Sequence, residues 1–357
     1  MCLLGSGKDL FTCGSGADRS ANAGGLFNPP YRFRCGLVAG FLFSRGFTPF
    51  CPMGMLTRAM GQTTHYRTSR GMRTDQAIDR HPRFRHHHDI RDDRKERPIM
   101  TFRDLHHTEG AFVLPNAWDV PSALAYLADG FTAIGTTSFG VSSSHGRPDG
   151  GRATQQANVD LALALAPLDC YVSLDIEDGY SDAPDEVADY VAQLTVAGIN
   201  IEDSTAEKLV DPDAMAAKIA AIKKRSPDVF INARVDTYWL NQDANPQDSI
   251  RRAEKYVAAG ADGIFVPLAA DPDELRELAA NIAAPLNVLV VAGLSIRELG
   301  ELGVRRVSTG SMPYGAAIHA AAAAARAVRD GEQIPPSVAY PDLQARLVEY
   351  ENSGAHA

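Results

Sequence analysis

From residue 112 onwards, short apolar runs alternate with longer amphipathic stretches. Apolar residues at helical spacing predict helices at Val120–Ala128, Pro184–Ala197, Pro212–Lys224, Pro246–Ala259, Pro272–Ala280 and Ser295–Leu302. The short apolar runs predict strands at Phe112–Leu114, Thr132–Thr136, Tyr171–Ile176, Gly198–Ile201, Val229–Ala233, Gly263–Val266, Asn287–Val291 and Arg306–Ser308. Strands that alternate with helices indicate a parallel sheet whose strands are joined by helical crossovers.

Residues at the ends of these stretches support the predicted helices. Three helices are expected to start with a capping residue followed by proline, because proline suits the first helical turn: Asp211-Pro212, Asn245-Pro246 and Asp271-Pro272. Four glycines lie where a helix is expected to stop, at Gly130, Gly198, Gly260 and Gly303.

The eight alternations predict an α/β fold of the (β/α)8 TIM-barrel type, because they extend over about 220 residues, which is the usual length of such a barrel. A doubly wound open sheet is the structural alternative, and it usually carries a glycine-rich loop after its first strand. Here the first strand ends in Leu114–Asp119, a stretch that contains no glycine. We therefore expect a catalytic barrel over residues 100–334 and a C-terminal tail over residues 335–357.

Residues 1–99 differ from the rest in composition. They hold 16 of the 35 Lys and Arg residues and 8 of the 44 Asp and Glu residues, and they show no sustained periodicity. Such a segment predicts disorder or a non-native N-terminal extension, with Met100 as the natural start. An arginine-rich organelle leader is the alternative. The run His86–His88 is interpreted as a solvated polar run rather than a metal site.

The remaining chain is acidic, with 19 basic and 36 acidic residues. This balance argues against nucleic acid as the main partner, because binding to phosphates needs clustered Lys and Arg. No apolar run reaches the length of about 18 residues that a membrane span needs. Cys170 is the one cysteine after residue 99, which favours a reducing, cytoplasmic location.

Polar residues follow four successive predicted strands, where a barrel places its chemistry. These strand ends read Thr137-Ser138, Asp175–Tyr180, Glu202-Asp203 and Asn232–Asp236. Asp175 and Glu177 are two residues apart and share one face of a strand, and Glu202 lies on the next strand. Converging carboxylates with few His or Cys nearby predict a Mg²⁺ or Mn²⁺ site. A solvated loop is the alternative interpretation.

Three other side chains are candidates for substrate binding or catalysis. Arg234 is predicted to hold a substrate carboxylate as a bidentate pair, although a surface position is the alternative. Ser138 is predicted to contact the same carboxylate, or to serve only as a turn residue. Asn232 is predicted either to donate to the substrate oxyanion or to make a hydrogen bond in the core.

The polar stretch Ser142–Gly151 is interpreted as a loop that closes over the site, because long polar loops in compact domains are often lids. Asp149 would then reach the site upon closure. An exposed turn is the alternative, since Pro-Asp-Gly is a strong turn signal.

These motifs resemble the isocitrate lyase/phosphoenolpyruvate mutase superfamily over about Phe102 to Arg329. The resemblance is carried by Leu114–Asp119, Thr136–Ser138, Gly146–Asp149, Asp175–Tyr180, Asn200–Ser204, Ile231–Asp236 and Ala259–Val266. It implies a barrel whose last helix swaps between subunits of a homodimer or homotetramer. It also implies Asp175 as the principal Mg²⁺ ligand, Glu177 and Glu202 as ligands through water, Ser138 and Arg234 as substrate contacts, and Asp149 as a gating-loop residue.

The chain departs from the superfamily at two places. Its lyases carry a Lys-Lys/Arg-Cys-Gly-His loop where this chain has Ser204–Asp211, and its mutases tend to place a histidine where this chain has Pro267. The resemblance therefore implies a Mg²⁺-dependent enzyme that acts on a small 2-oxo or 2-hydroxy carboxylic acid through an enolate, as a C–C bond lyase or hydrolase. A phosphonate mutase or hydrolase of the carboxyvinyl-carboxyphosphonate phosphorylmutase type and a non-catalytic carboxylate-binding barrel are the alternatives.

Overall fold

Parallel strands form the centre of the computed structural model, which describes residues 100–354. The predicted N-terminal extension and its histidine run lie outside the described residues. The strands are β1 (Phe112–Leu114), β2 (Asn116–Ala117), β3 (Ala133–Thr136), β4 (Tyr171–Asp175), β5 (Gly198–Glu202), β6 (Ser204–Thr205), β7 (Lys208–Leu209), β8 (Phe230–Arg234), β9 (Gly263–Phe265), β10 (Leu286–Leu289) and β11 (Val304–Ser308).

Nine of these segments form one sheet in the order β1-β11-β10-β9-β8-β5-β4-β3-β2. β1 and β2 are separated only by Pro115 and act as two halves of one strand. β1 pairs with β11 and β2 pairs with β3, both in parallel, so the two ends of the sheet meet. The nine segments therefore make eight barrel strands, and the predicted TIM barrel is confirmed.

The six predicted amphipathic stretches form helices between the strands, and the described residues contain six further helices. They are α1 (Phe102–Leu105), α2 (Val120–Ala128), α3 (Ser138–Ser144), α4 (Gln155–Leu165), α5 (Pro184–Ala192), α6 (Pro212–Arg225), α7 (Thr237–Leu240), α8 (Pro246–Ala258), α9 (Pro272–Asn281), α10 (Ile296–Glu301), α11 (Met312–Asp330) and α12 (Tyr340–Asn352). The predicted caps are confirmed, because the side chains of Asp211, Asn245 and Asp271 each accept a hydrogen bond from a backbone N–H of the first turn.

One glycine has a different role from the one predicted. Gly130, Gly260 and Gly303 end their helices with positive φ angles of 87°, 107° and 101°. Gly198 instead begins β5, and α5 ends at Ala192 rather than Ala197. A Cβ atom at Gly198 would lie 2.7 Å from Phe102 Cε1, so this glycine permits close packing against α1.

A small aromatic cluster closes the amino-terminal end of the barrel. Phe102 of α1 meets Phe230, the first residue of β8, in an edge-to-face contact with ring centroids 5.5 Å apart. His106 stacks on the same Phe230 ring at 4.0 Å, and its Nδ1 lies 2.9 Å from the carbonyl oxygen of Phe102. Burial and the nearby Arg306 lower the pKa of His106 to about 3, so its ring is neutral at ordinary pH.

The opposite end of the barrel is tied together by Asn116. Its backbone N–H donates to Thr309 Oγ1 at 2.9 Å, and its Oδ1 accepts from the N–H of Gly310 at 2.9 Å. Its Nδ2 donates to the carbonyl oxygen of Thr136 at 2.6 Å. One side chain therefore joins the first strand to β3 on one side and to the segment after β11 on the other.

Residues 340–352, within the predicted C-terminal tail, form α12. The hydroxyl of Tyr350 donates to the carbonyl oxygen of Ala164, which attaches α12 near the end of α4. Both last helices expose apolar side chains, among them Ile318, Val328 and Leu343. Within residues 100–354, no helix combines the length and the apolar character needed to cross a membrane. The predicted helix swap stays a prediction.

Candidate active site

Two adjoining cavities open at the carboxyl ends of the strands. The loop-side cavity, of about 490 Å³, is lined by the segments after β3, β4 and β5. The strand-side cavity, of about 360 Å³, is lined by residues that include Asp175, Asn200 and Ser308. Ser138, Asp149, Arg234 and Trp239 line both cavities. Three of these four side chains are residues that the sequence predicts for the site.

The three predicted metal-binding carboxylates lie at this same mouth. Asp175 Oδ2 accepts from the N–H of Ser138 at 3.0 Å. Glu177 accepts from Thr154 Oγ1 at 2.5 Å and from the N–H of Arg152 at 2.9 Å. Glu202 Oε2 lies 2.7 Å from Arg234 Nη1. Each carboxylate is thus oriented by a neighbouring donor.

The carboxylates influence one another's ionisation. Burial raises the pKa of Glu202 well above its usual range; Asp236 and Asp175 raise it further, and Arg234 opposes the shift. The pKa of Glu177 is raised by burial first, and Asp175 and Asp149 add to the rise. A group of acidic side chains at a partly buried mouth favours a cation that compensates their mutual repulsion.

The side chains at this mouth offer the kind of donor that a hard cation requires. All the donors are carboxylate and hydroxyl oxygens, which Mg²⁺ and Mn²⁺ prefer. Within residues 100–354, no three His, Cys, Asp or Glu side chains come together with the spacing of direct ligands. Since Mg²⁺ keeps several of its waters, these oxygen donors suit a cation that is bound largely through water.

Arg234 is fixed by three neighbours at the end of β8. Its Nε donates to Asp236 Oδ1 at 2.6 Å, and its Nη1 pairs with Glu202. Its guanidinium carbon lies 5.1 Å from the ring centroid of Trp239, a cation–π contact. Nη2 donates to no residue among those the structure describes. Nη2 is therefore the guanidinium nitrogen that is free for a substrate oxygen. The predicted bidentate pair would need a second free nitrogen, but Nε and Nη1 already contact Asp236 and Glu202.

The segment predicted as a lid is partly helical. α3 starts at Ser138 and continues to Ser144, so the predicted loop at Ser142–Ser144 is wrong, because Thr137 caps the helix and the serines continue it. The loop proper begins after the helix and carries Asp149, which lines both cavities. Burial and the neighbouring Asp175 raise the pKa of Asp149, while Arg234 and Ser138 oppose the shift.

Asn232 lies deeper than the sequence suggests. It is fully buried and lines neither cavity, and its Nδ2 donates to Asn200 Oδ1 at 2.8 Å. The core hydrogen bond that was one of its two predicted roles is therefore present. Asp236 lies at the N-cap position of α7, but its side chain makes no capping bond. It accepts instead from Arg234 and from Ser204 Oγ.

Several site residues are not apparent from the sequence. Arg152 Nε and Nη2 hold the carboxylate of Asp178, at 2.9 Å and 2.6 Å from Oδ2. Its backbone is in the left-handed region with φ 62°, directly after two glycines, and this pair of glycines is the signal that could have indicated a tight turn. Trp239 and Asn200 also line the cavities without a spacing signal of their own.

A short hairpin occupies Ser204–Leu209, where the resemblance leads one to look for a cysteine loop. β6 and β7 pair in antiparallel fashion, and Gln242, which follows α7, holds the hairpin: its side chain accepts from the N–H of Leu209 and donates to the carbonyl oxygen of Glu207. Cys170, the cysteine within residues 100–354, directly precedes β4 and lies at the opposite end of the barrel. Burial raises its pKa to about 11. The described residues therefore offer no thiol at the cavities.

Comparisons with known proteins agree with this geometry. The family model described as phosphoenolpyruvate phosphomutase matches residues 102–329. An uncharacterized protein of Mycobacterium tuberculosis is 72% identical over 253 residues, which are 71% of this chain and 98% of that protein. The 2-methylisocitrate lyase of Halalkalibacterium halodurans is 33% identical over 52% of this chain and 65% of the lyase. A solved 2,3-dimethylmalate lyase is 27% identical, with a TM-score of 0.62 over 71% of this chain and 95% of that one.

The matching proteins include lyases, mutases and hydrolases that act on small carboxylates. One of them, a phosphonopyruvate hydrolase, was solved in complex with oxalate and Mg²⁺. At 24% identity and a TM-score of 0.60, its likeness to this chain shows the shared fold alone.

Proposed function

This chain belongs to the phosphoenolpyruvate mutase/isocitrate lyase superfamily, and from that premise we propose that it is a Mg²⁺-dependent enzyme that acts on a small 2-oxo or 2-hydroxy carboxylic acid. The reaction passes through an enolate and breaks a C–C bond, as a lyase or a hydrolase. The observation that carries this proposal is the convergence of Asp175, Glu177 and Glu202 with Arg234 at one mouth of the barrel.

Some of the described residues would hold the substrate, and others would help to stabilise the negative charge that develops on it. Arg234 presents Nη2 toward a substrate carboxylate, while Asp236 and Glu202 keep the guanidinium in place. The backbone N–H of Ser138 donates to Asp175, and Ser138 lines both cavities. Its hydroxyl is therefore positioned at the boundary between them. When bound, the cation supplies Lewis-acid stabilisation of negative charge on the 2-oxo group.

A lyase that uses a cysteine as its acid or base does not fit this chain. The hairpin of Ser204–Leu209 replaces the cysteine loop and is held by Gln242. Asp149 is the candidate for moving a proton, because it lines both cavities and its raised pKa makes the protonated form more accessible than for an ordinary aspartate. Its loop also lies where closure would exclude water.

The second candidate is a phosphonate mutase or hydrolase. It is favoured by the family model itself, which describes a phosphomutase. Phosphonopyruvate has the same 2-oxo acid group as the 2-oxo acids whose C–C bond would be broken. Arg234 and Asp175 would therefore contact it in the same way. The two candidates differ only in whether the bond that breaks is C–C or C–P.

One panel assay tests the proposal. The full chain is incubated with Mg²⁺ and with oxaloacetate, a 2-methylmalate, 2-methylisocitrate or phosphonopyruvate, and formation of pyruvate, oxalate, phosphoenolpyruvate and phosphate is followed. We expect pyruvate (lyase) or oxalate (hydrolase) from a substrate whose C–C bond breaks, and its loss on chelation of the metal; turnover of phosphonopyruvate alone, to phosphoenolpyruvate by a mutase or to pyruvate and phosphate by a hydrolase, would favour the second candidate. No turnover across the panel would support the non-catalytic alternative.

A matched pair of variants tests the metal assignment. Asp175→Asn removes one charge without changing size, and we expect turnover to fall by at least about 100-fold. Asp189→Asn, on the exposed face of α5, is the control and should leave turnover unchanged, since its side chain is 74% exposed. Full activity of Asp175→Asn at limiting Mg²⁺ would refute the role of Asp175.

A further inference from the structure

A buried arginine lies beneath the strand-side cavity. Arg306 of β11 is fully buried within the barrel. Its Nη2 donates to Asn200 Oδ1 at 3.1 Å and its Nε to Ser308 Oγ at 3.3 Å. Nη1 has no hydrogen-bond partner among residues 100–354, and within that range no carboxylate forms an ion pair with the guanidinium. A cation in this position lowers stability unless something compensates its charge.

The contacts of Arg306 fix the orientation of the Asn200 amide. Arginine carries only donors, so the Asn200 atom that faces Nη2 must be the amide oxygen. Asn232 Nδ2 donates to the same oxygen at 2.8 Å. The Asn200 Nδ2 group must then point the other way, and it donates to no described residue. Asn200 is 4% exposed and lines the strand-side cavity, so its NH₂ group, which has no partner among the described residues, faces the space beside Asp175.

We propose that Asn200 binds an anionic oxygen of the substrate through its amide N–H groups, and that Arg306 is a positioning residue that holds this amide and adds positive potential. The inference rests on the proposed function and identifies a further substrate contact in the same site. Donors that are fixed before the reaction stabilise developing negative charge most effectively in a partly buried site, because they need no reorganisation. Asp175 and Asn200 are register partners on neighbouring strands, so this donor pair lies beside the carboxylate assigned to the metal.

Two opposite effects distinguish this role from a purely structural one. Replacing an uncompensated buried charge with an apolar side chain of similar size is often neutral or stabilising. Arg306→Met should therefore leave Tm unchanged or raise it. The same change removes one of the two donors that hold the Asn200 oxygen, so ligand affinity should fall. A residue that only supports the core would lower Tm when replaced.

The experiment measures binding of oxalate in the presence of Mg²⁺ by calorimetry, with Tm measured on the same samples. Oxalate is the probe because it has the planar shape and the adjacent oxygens of a 2-oxo acid enolate. Asn200→Asp keeps an oxygen acceptor facing Arg306, but it replaces the NH₂ group that faces the oxalate anion with a second oxygen. We expect the affinity for oxalate to fall by at least about 100-fold. For Arg306→Met, we expect a fall of about tenfold with no loss in Tm.

Asn281→Asp is the matched control. Asn281 ends α9, its exposed amide donates to the carbonyl oxygen of Glu277, and it lines neither cavity. We expect its oxalate affinity to stay within about threefold of wild type.

Three outcomes would overturn the inference. If wild type binds oxalate and Asn200→Asp binds it equally well, the Asn200 contact is wrong while the proposed function stands. If Arg306→Met lowers Tm without changing affinity, Arg306 is structural only. If wild type neither binds oxalate with Mg²⁺ nor turns over any 2-oxo acid, the proposed function fails and the inference fails with it.

Discussion

The stacked histidine at the amino-terminal end of the barrel predicts a defined acid sensitivity. In the folded protein, His106 lies between Phe230 and Phe112, and its Nε2 has no partner among residues 100–354. Its pKa is about 3 when folded, against 6.5 for an ordinary histidine. Above pH 6.5 the ring is neutral in both states, so it has no effect on the pH dependence of stability. Below pH 6.5 the unfolded chain binds a proton that the folded chain does not, and stability falls until about pH 3.

The size of this effect follows from the two pKa values. Each pH unit between them lowers the free energy of unfolding by about 1.4 kcal/mol, so a shift from pH 8 to pH 5 costs about 2 kcal/mol. His106→Phe removes the titrating group and keeps an aromatic ring against Phe230. Other groups titrate alike in both proteins, so their contributions cancel in the difference between wild type and variant.

The assay is urea unfolding followed by tryptophan fluorescence, for wild type and His106→Phe at pH 8 and pH 5. The difference at pH 8 includes the lost hydrogen bond to Phe102 and serves as the reference. From pH 8 to pH 5, the difference in free energy of unfolding should change by about 2 kcal/mol in favour of the variant. A difference that stays constant with pH would show that the imidazole is protonated in the fold, which contradicts its burial.

Three further predictions concern the active site, the core and the surface. Arg234→Lys should lower kcat/KM by about 100-fold, because an ammonium group cannot replace the planar contacts to Glu202 and Asp236; steady-state kinetics would check it, and wild-type values would refute it. Tyr256→Phe should lower the free energy of unfolding by about 1–2 kcal/mol in urea titrations, since the buried Asp203 loses a donor at 2.7 Å; equal stability would contradict this. Ile318→Glu, on the exposed face of α11, should shift the mass measured by light scattering from an oligomer toward a monomer, and an unchanged mass would argue against that face as an interface.

The sequence predicts the barrel and the group of carboxylates at its mouth, because both follow from the local periodicity of the chain. Alternating apolar runs and capped helices specify the order of elements, and barrel geometry then brings strand ends together. Asp175, Glu177 and Glu202 were therefore predictable as neighbours. Their partners Arg152 and Thr154 were not, because these come from a loop whose path depends on a left-handed turn.

Depth within the barrel was less predictable than position along a strand. Asn200 and Asn232 are direct register partners on neighbouring strands, yet only Asn200 lines a cavity. Arg305 and Arg306 stand side by side in the sequence, and only Arg306 points into the barrel. Residue alternation along a strand does not reveal how far the neighbouring strands extend, and that stagger decides which side chain reaches the mouth.

The hydrogen bonds of Asn116 also affect the stage of protein synthesis at which the chain can become active. Asn116 and Thr309 are 193 residues apart in the chain, so their contact closes a very long loop. Contacts of such separation form late, after local helices and neighbouring strands. Ser308 and Gly310 line the strand-side cavity, so the cavity is incomplete until the last strand has been made and has joined the first. A nascent chain that ends before residue 304 should therefore be catalytically silent, however well its acidic strand ends have already formed.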